Sequence, residues 1–232
     1  MVEISALNEE EYAAYTQSQF DKIYPKLVEL YPEPRSGLDF ENPYQLLIAT
    51  ILSAQSTDVQ VNKITPALFK RFPTPEILAA STVEEIEQYV RSTGFYHNKA
   101  KSLLGTGRLL VEKYGGVVPA SMQDLIKMPG AARKTANVVL GNAFGINVGI
   151  PVDTHVTRLS QRLGLSKYIT PEKIEVDLMR ESPQEQWALV SHRLIWHGRK
   201  VCIARKPLCH QCTLALDCPT GRSILMLETK IP

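Results

Sequence analysis

Apolar residues recur at the spacing of a helix along most of the chain. Phe20, Ile23 and Leu27, for example, fall three or four positions apart, the period of one helix face. Residues 43–52 are apolar on nearly every side, which predicts a buried central helix. About ten segments follow the helical pattern, and the one strand-like stretch, residues 146–152, is too isolated to found a sheet. The pattern predicts an all-α fold.

Capping residues and glycines mark where the predicted helices begin and end. At four points an Asn, Thr or Ser precedes a proline, an order that suits an N-cap and the first helical turn. These points are Asn42-Pro43, Thr74-Pro75, Thr170-Pro171 and Ser182-Pro183. Thr82 with Glu85 and Ser182 with Glu185 have the spacing of a capping box. A glycine closes the pattern, as left-handed C-terminal residues do, at Gly94, Gly115, Gly145 and Gly164.

The composition is that of an ordinary globular protein. Of the 232 residues, 44% are apolar and 22% are charged, which argues against a disordered chain. No apolar run approaches the roughly 18–20 residues of a membrane span. The N-terminus has neither the basic patch nor the apolar core of a signal peptide. We therefore expect a soluble, cytoplasmic protein.

The net charge of +2 is unevenly distributed. Residues 1–40 contain eight acids and three bases, a balance of −5, so residues 41–232 carry +7. Within that basic part, residues 193–210 contain five Lys or Arg and no acid, and residues 125–152 contain three bases and no acid. Two separate acid-free basic segments are the expected footprint of a nucleic-acid backbone site.

All four cysteines lie within seventeen residues, with gaps of six, two and five residues: Cys202, Cys209, Cys212 and Cys218. A disulfide framework is typical of small secreted chains, so four thiolates this close suggest one metal centre. Structural zinc usually shows two short pairs, whereas the wider outer gaps here suit the corners of a 4Fe-4S cluster. The spacing favours the cluster and leaves zinc, and unliganded cysteines, as alternatives. The site would fix the shape of a basic loop that carries Arg205 and Lys206.

The second informative segment is a predicted helical hairpin in residues 125–136. One helix should end near Met128, Pro129-Gly130 makes a tight turn, and a new helix starts around Arg133. Free backbone N–H groups at such a helix N-terminus suit a phosphate. An ordinary hairpin with solvated lysines is the alternative, and the pairing with the basic cysteine loop favours phosphate binding.

Several segments together resemble the endonuclease III group of helix-hairpin-helix DNA glycosylases. They are the hairpin, the Val152-Asp153 that follows it, the cysteine run, and residues 46–58, 94–100 and 197–199. The resemblance covers most of the chain. It implies a compact prokaryotic-type protein, associated with the nucleoid, that binds double-stranded DNA with a damaged base or an abasic site. We expect a monomer.

The resemblance also implies the domain organisation. A six-helix barrel of residues 37–146 would include the helix-hairpin-helix near residues 121–144. Residues 1–36 and 147–232 would form a second lobe, in which the four cysteines hold one 4Fe-4S cluster, with DNA in the cleft between the lobes.

The chemistry implied is that of a bifunctional DNA glycosylase and AP lyase acting on oxidised pyrimidines such as thymine glycol. Lys134 matches the nucleophilic lysine, and the helix N-terminus and Arg133 beside it would disfavour its ammonium form. The amine would displace the base, form a Schiff base, and permit β-elimination that cuts the strand 3′ to the abasic site. Asp153 matches the catalytic aspartate, although it also reads as the N-cap of the next helix.

Further residues are assigned by the same resemblance. Gln55 would fill the hole left by a flipped base and Phe95 would wedge against the opposite strand. Asp58 and His155 fall near the base pocket, where capping and packing explain them equally well. The hairpin and the cysteine loop would contact the DNA backbone through Gly130, Ala132, Arg133, Arg205 and Lys206.

Two residues depart from the family pattern. The family hairpin usually reads Gly-Val-Gly, and Ala132 replaces the second glycine, which puts DNA affinity and lyase efficiency in doubt. Phe95 stands where aliphatic residues are usual. Two alternatives are kept: a catalytically weak or silent cluster-bearing protein that binds DNA damage, and a monofunctional adenine-mismatch glycosylase. The second is disfavoured because Lys134 is present and no acid occurs between Glu41 and Asp58.

Overall fold

The computed structural model describes residues 6–228, and every regular element in that range is a helix. The α-helices there number twelve: α1 (Glu9–Leu30), α2 (Pro43–Leu52), α3 (Asp58–Arg71), α4 (Pro75–Ala79), α5 (Val83–Val90), α6 (Tyr96–Tyr114), α7 (Met122–Leu125), α8 (Arg133–Ala143), α9 (Thr154–Leu163), α10 (Pro171–Glu181), α11 (Trp187–Lys200) and α12 (Pro219–Glu228). Short 3₁₀ turns cover Arg91–Thr93, Gln184–Gln186 and Cys209–Gln211. The all-α prediction is confirmed, and residues 146–152 form no strand.

Most of the predicted helix starts and stops are found. The Asn42 side chain accepts a hydrogen bond from the Gln45 backbone N–H at the start of α2, as an N-cap should. The Thr82 side chain does the same for Glu85 in α5. Gly115 and Gly164 end α6 and α9 in the left-handed conformation.

One predicted helix start is wrong. Ser182 does not cap a helix, because its hydroxyl donates at 2.6 Å to the carbonyl oxygen of Leu178 at the end of α10. A 3₁₀ turn, Gln184–Gln186, follows Pro183, and α11 begins only at Trp187. The capping box expected between Ser182 and Glu185 is therefore absent, since the serine hydroxyl serves the preceding helix.

The chain divides into two compact units. One contains the chain up to Arg35 and from Gly149 onward, and the other is Ser36–Val148. In the second unit, α2 is the buried centre that its sequence predicts, with eight of its ten residues buried. In the first unit, α1 begins at an unpredicted capping box between Asn8 and Glu11 and packs its apolar face into a separate core with α9, α10 and α11.

Within residues 6–228, no helix is both long and apolar enough to cross a membrane.

Candidate active site

The hairpin turn between α7 and α8 depends on a glycine. Gly130 has a φ of +80°, which L-residues rarely adopt. A Cβ there would lie 3.0 Å from the Ser102 Cβ and 3.1 Å from the Ile51 Cγ2, so the turn also packs too closely for a side chain. Glycine at position 130 therefore allows the turn before α8 to pack directly against Ser102 and Ile51.

Ala132 is the N-cap of α8, where the family has its second glycine. Its φ of −92° and ψ of 176° describe extended backbone, which any residue adopts. Its methyl group is exposed to solvent. The alanine therefore causes no backbone strain. Its methyl group can affect DNA affinity only by occupying space that a phosphate would need.

Lys134 lies in the first turn of α8, immediately after Arg133, and both side chains are exposed. No side chain caps this helix, so the backbone N–H groups of its first turn are oriented toward the same end. An exposed amine at a helix N-terminus is accessible to an anionic substrate and can act as a nucleophile on it.

Asp153 caps α9 and keeps one carboxylate oxygen available. Its Oδ1 accepts hydrogen bonds from the backbone N–H groups of His155 at 2.8 Å and Val156 at 2.9 Å. Both capping bonds go to Oδ1, and the side chain is only partly buried. The cap thus holds the carboxylate in one orientation while Oδ2 can stabilise a positive charge.

His155 is held by its own helix. The guanidinium of Arg158 donates to the His155 Nδ1 at 3.1 Å and to the carbonyl oxygens of Gly198 at 3.0 Å and Cys202 at 3.1 Å. Burial, helped by the charges of Arg158 and Arg199 and opposed by that of Asp153, lowers the pKa of His155. Since an arginine can only donate, its hydrogen bond to His155 needs a lone pair on Nδ1, which the neutral ring offers when its proton is on Nε2.

Asp58 is the first residue of α3, directly after its N-cap Thr57. The Thr57 side chain, not that of Asp58, accepts the capping hydrogen bond from the Gln60 backbone N–H. A carboxylate in a first turn complements the helix dipole, which explains Asp58 without a ligand.

Gln55 and Phe95 share a rare backbone conformation. Within the described range they alone combine a side chain with a positive φ, 54° for Gln55 and 48° for Phe95. Both are exposed, Phe95 by 65%. A bulky residue held in this region costs about 1–3 kcal/mol, and such strain concentrates at functional sites. The two residues that the resemblance assigns to insertion into DNA are thus the two that the fold strains.

The four cysteines line one pocket, and none of them is in a disulfide. In the described residues, no three His, Cys, Asp or Glu side chains converge closely enough to hold a single metal ion. Burial raises the pKa of Cys218 to about 11, so a bound cation would have to stabilise the thiolate. The buried His197 also lines the pocket, and its Nε2 forms a hydrogen bond of 3.5 Å with the Cys212 Sγ.

Arg162 of α9 shapes the basic loop beside this pocket. Its guanidinium donates to the Cys202 Sγ at 3.4 Å and to the carbonyl oxygens of Ile203 at 2.9 Å and Ala204 at 2.6 Å. The next two residues, Arg205 and Lys206, are exposed. The loop thus presents two cations to solvent from a backbone fixed on one side.

A family model described as HhH-GPD superfamily base excision DNA repair protein matches residues 48–184. Endonuclease III of Synechocystis sp. is 55% identical over 197 residues, which cover 85% of this chain and 90% of that protein. The Escherichia coli endonuclease III is 42% identical over 193 residues, or 83% of this chain and 91% of that protein. The chain belongs to the endonuclease III family. It is therefore a DNA glycosylase and AP lyase of base excision repair.

Solved structures agree with the assignment to endonuclease III. A trapped covalent endonuclease III–DNA intermediate is 40% identical, covers 90% of this chain and 98% of its own, and superposes with a TM-score of 0.86. A non-covalent endonuclease III–DNA complex gives a TM-score of 0.87 at the same identity and coverage.

Sequence reasoning missed three polar residues of this chain: Lys99, Arg158 and Arg162. Lys99 falls on the buried face of α6, four positions before Leu103, which was the available signal for a buried cation. Arg158 and Arg162 are one turn apart on α9, and their partners are carbonyl oxygens of residues 198–204, which no sequence pattern reveals.

Proposed function

We propose that this protein excises oxidised pyrimidines, such as thymine glycol, from duplex DNA with Lys134 as the nucleophile. The observation that carries the proposal is the exposed Lys134 amine in the first turn of α8, behind the Gly130 turn. The solved relatives similar to this chain include one trapped as a covalent intermediate with DNA, which is the species that an attacking amine forms.

The reaction has two stages. The neutral amine of Lys134 attacks C1′ of the sugar, the glycosidic bond breaks, and the base leaves with the bonding pair and takes up a proton. The sugar ring then opens to an imine with the lysine. The imine acidifies the C2′ proton, so its removal expels the 3′ phosphate and cuts the strand. Asp153, through Oδ2, stabilises the positive charge that develops on the sugar or accepts a proton.

DNA binding in this proposal is divided between backbone contacts and insertion. Gly130, Ala132 and Arg133 would contact phosphates at the hairpin, and Arg205 and Lys206 would do so from the cysteine loop. Gln55 would fill the gap left by the flipped base and Phe95 would wedge against the opposite strand. The strained conformations of these last two residues support an insertion role.

We further propose, as the family resemblance implies, that Asp58 and His155 contact the flipped base or its sugar. The neutral His155 offers an N–H donor at Nε2 because Arg158 occupies its Nδ1. A neutral donor can hydrogen-bond a carbonyl oxygen of a pyrimidine without adding a charge to the pocket.

The cysteine pocket fits one 4Fe-4S cluster. Four thiols around one volume match the one thiolate that each of four irons requires, with Cys202, Cys209, Cys212 and Cys218 as ligands. The cluster would supply a structural centre that fixes the ends of the basic loop, while Arg162 fixes the backbone of that loop at Ile203 and Ala204.

The remaining proposals concern organisation. Ser36–Val148 would correspond to the six-helix barrel and the other unit to the cluster lobe. We further propose a monomer located with the nucleoid in the cytoplasm, in keeping with a DNA substrate.

Borohydride trapping tests the nucleophile. The duplex carries one thymine glycol or one abasic site, and wild type is compared with Lys134→Ala. The matched control is Lys127→Ala, which removes another exposed lysine of the same hairpin. We expect a reduced covalent adduct with wild type and Lys127→Ala and none with Lys134→Ala.

The other outcomes identify the alternatives. Base release without an adduct would mean a monofunctional glycosylase that uses water. DNA binding with neither adduct nor base release would mean a silent damage-binding protein and would direct attention to Ala132.

A further inference from the structure

A buried polar junction joins the two strained turns that carry Gln55 and Phe95. It consists of Ser56, Thr93 and Lys99, and we call it the Lys99 junction. The Lys99 Nζ donates to the Ser56 Oγ at 2.8 Å and to the Thr93 carbonyl oxygen at 2.6 Å. The Ser56 hydroxyl also donates to the Thr93 carbonyl oxygen.

The junction lies next to both strained residues in sequence. Ser56 follows Gln55 directly, and Thr93 is two residues before Phe95. The Lys99 backbone N–H in turn donates to the carbonyl oxygen of Phe95 at 3.1 Å. One residue therefore bonds to the turn before α3 with its side chain and to the turn before α6 with both side chain and backbone.

Packing alone does not call for a lysine at this position. The side chain is only 6% exposed and lies on the face of α6 that buries Ala100 and Leu103. Its acceptors are neutral oxygens, and burial lowers the pKa of Lys99 to about 8. A buried amine with no carboxylate partner is costly compared with an aliphatic side chain of the same length. The amine must therefore serve a purpose other than filling the core.

We propose that Lys99 is a positioning residue for insertion into DNA. Its amine fixes the turns of residues 53–57 and 91–95 to each other, so that Gln55 and Phe95 enter the duplex as one unit. This inference rests on the insertion roles assigned to those two residues under the proposed function.

The positioning role of Lys99 predicts different effects on the binding of damaged and undamaged DNA. An intact duplex offers no gap for Gln55, so its binding depends on phosphate contacts made elsewhere. An abasic site offers this gap. Without the Lys99 junction, the two turns would have to be ordered during binding, and that loss of conformational entropy would weaken binding to the abasic duplex. Lys99 should therefore contribute to damage preference and not to general DNA affinity.

The first experiment compares Lys99→Met with Lys113→Met. Both variants remove one lysine charge from α6, and Lys113 is exposed in the last turn. The duplexes carry either no lesion or a tetrahydrofuran abasic analogue opposite 2-aminopurine, whose fluorescence reports unstacking.

We expect Lys99→Met to bind the undamaged duplex as Lys113→Met does. Its preference for the abasic duplex should fall about tenfold, with a reduced fluorescence rise. Ser56→Ala, which removes only a hydroxyl from a partly buried turn, should lower the preference in the same direction by less. A separate hydrogen bond, from the Gln60 Nε2 to the Ser92 Oγ at 2.7 Å, joins α3 to the turn of residues 91–95 and should keep these variants folded.

A mutant cycle distinguishes positioning from general destabilisation. In a Gln55→Ala, Phe95→Ala background there is nothing left to position, so Lys99→Met should cost no further preference. An equal cost of Lys99→Met in both backgrounds would overturn the inference and leave the insertion roles intact. No loss of preference in the Gln55→Ala, Phe95→Ala protein itself would overturn the insertion roles, and the inference with them.

Discussion

Single residues of the hairpin differ sharply in what they tolerate, although the family pattern has glycine at both positions. Gly130 has a positive φ and no space for a Cβ, whereas Ala132 has extended backbone and an exposed methyl group. The fold therefore requires glycine at position 130. At position 132 the choice between alanine and glycine affects only how closely a ligand can approach.

We expect Gly130→Ala to lower the free energy of unfolding by about 1–3 kcal/mol, because it adds both a strained φ and three contacts of about 3 Å with Ser102 and Ile51. Ala132→Gly should leave stability unchanged or slightly higher, since glycine is the better N-cap residue. It should also bind duplex DNA more tightly, because the methyl group no longer limits phosphate approach. Urea denaturation and duplex titration check the pair. Unchanged DNA affinity would show that Ala132 does not limit access.

At the scale of elements, the sequence predicts helices wherever a cap and an apolar period coincide. Asn42 before α2 and Gly164 after α9 are such cases. It fails where a side chain bonds to a different element from the one its pattern suggests, as the Ser182 hydroxyl does with Leu178. The five residues of α4 and the four of α7 are shorter than two helical turns, so no period could define them.

The residues of the candidate site likewise differ in whether a local sequence pattern identifies them. Lys134, Asp153 and the cysteines carry recognisable chemistry at recognisable spacing. Lys99 could not be assigned, because its partners Ser56 and Thr93 are 43 and 6 residues away and meet it only in the folded unit.

The packing of α9 against α11 depends on Gly198. A Cβ there would lie 3.0 Å from the Arg158 Nη2 and from the His155 Nδ1, and 3.1 Å from the Leu159 Cδ1. We expect Gly198→Ala to lower the free energy of unfolding by about 1–3 kcal/mol through overpacking.

Because Gly198→Ala would displace Arg158, which bonds to the Cys202 carbonyl oxygen, the proposed 4Fe-4S cluster should also become easier to lose. Urea denaturation and the visible absorbance of the holoenzyme measure the two effects. A normal rate of cluster loss together with lowered stability would mean that α9 does not hold the cysteine loop.

At the scale of the whole molecule, the proposed site residues are divided between two units, each with its own hydrophobic core. The Lys134 hairpin belongs to the unit Ser36–Val148, whose core is built around α2. Asp153 and all four cysteines belong to the other unit, with Leu214 and Cys218 in its core. The cysteine pocket is therefore part of the packing that supports α9 and its N-cap.

Removing the proposed 4Fe-4S cluster should consequently loosen the unit that carries its cysteines and leave the other unit unchanged. We expect hydrogen exchange of the holoenzyme, before and after oxidative loss of the cluster, to show lost protection in α9, α11 and the loop of residues 201–218. The pocket would then hold four thiols, and burial favours their neutral form, as the raised pKa values of Cys212 and Cys218 show. Protection in α2 and α8 should persist, because neither helix lines the pocket. Equal loss of protection in α2 would show that the cluster stabilises the entire chain and not the unit that carries its cysteines.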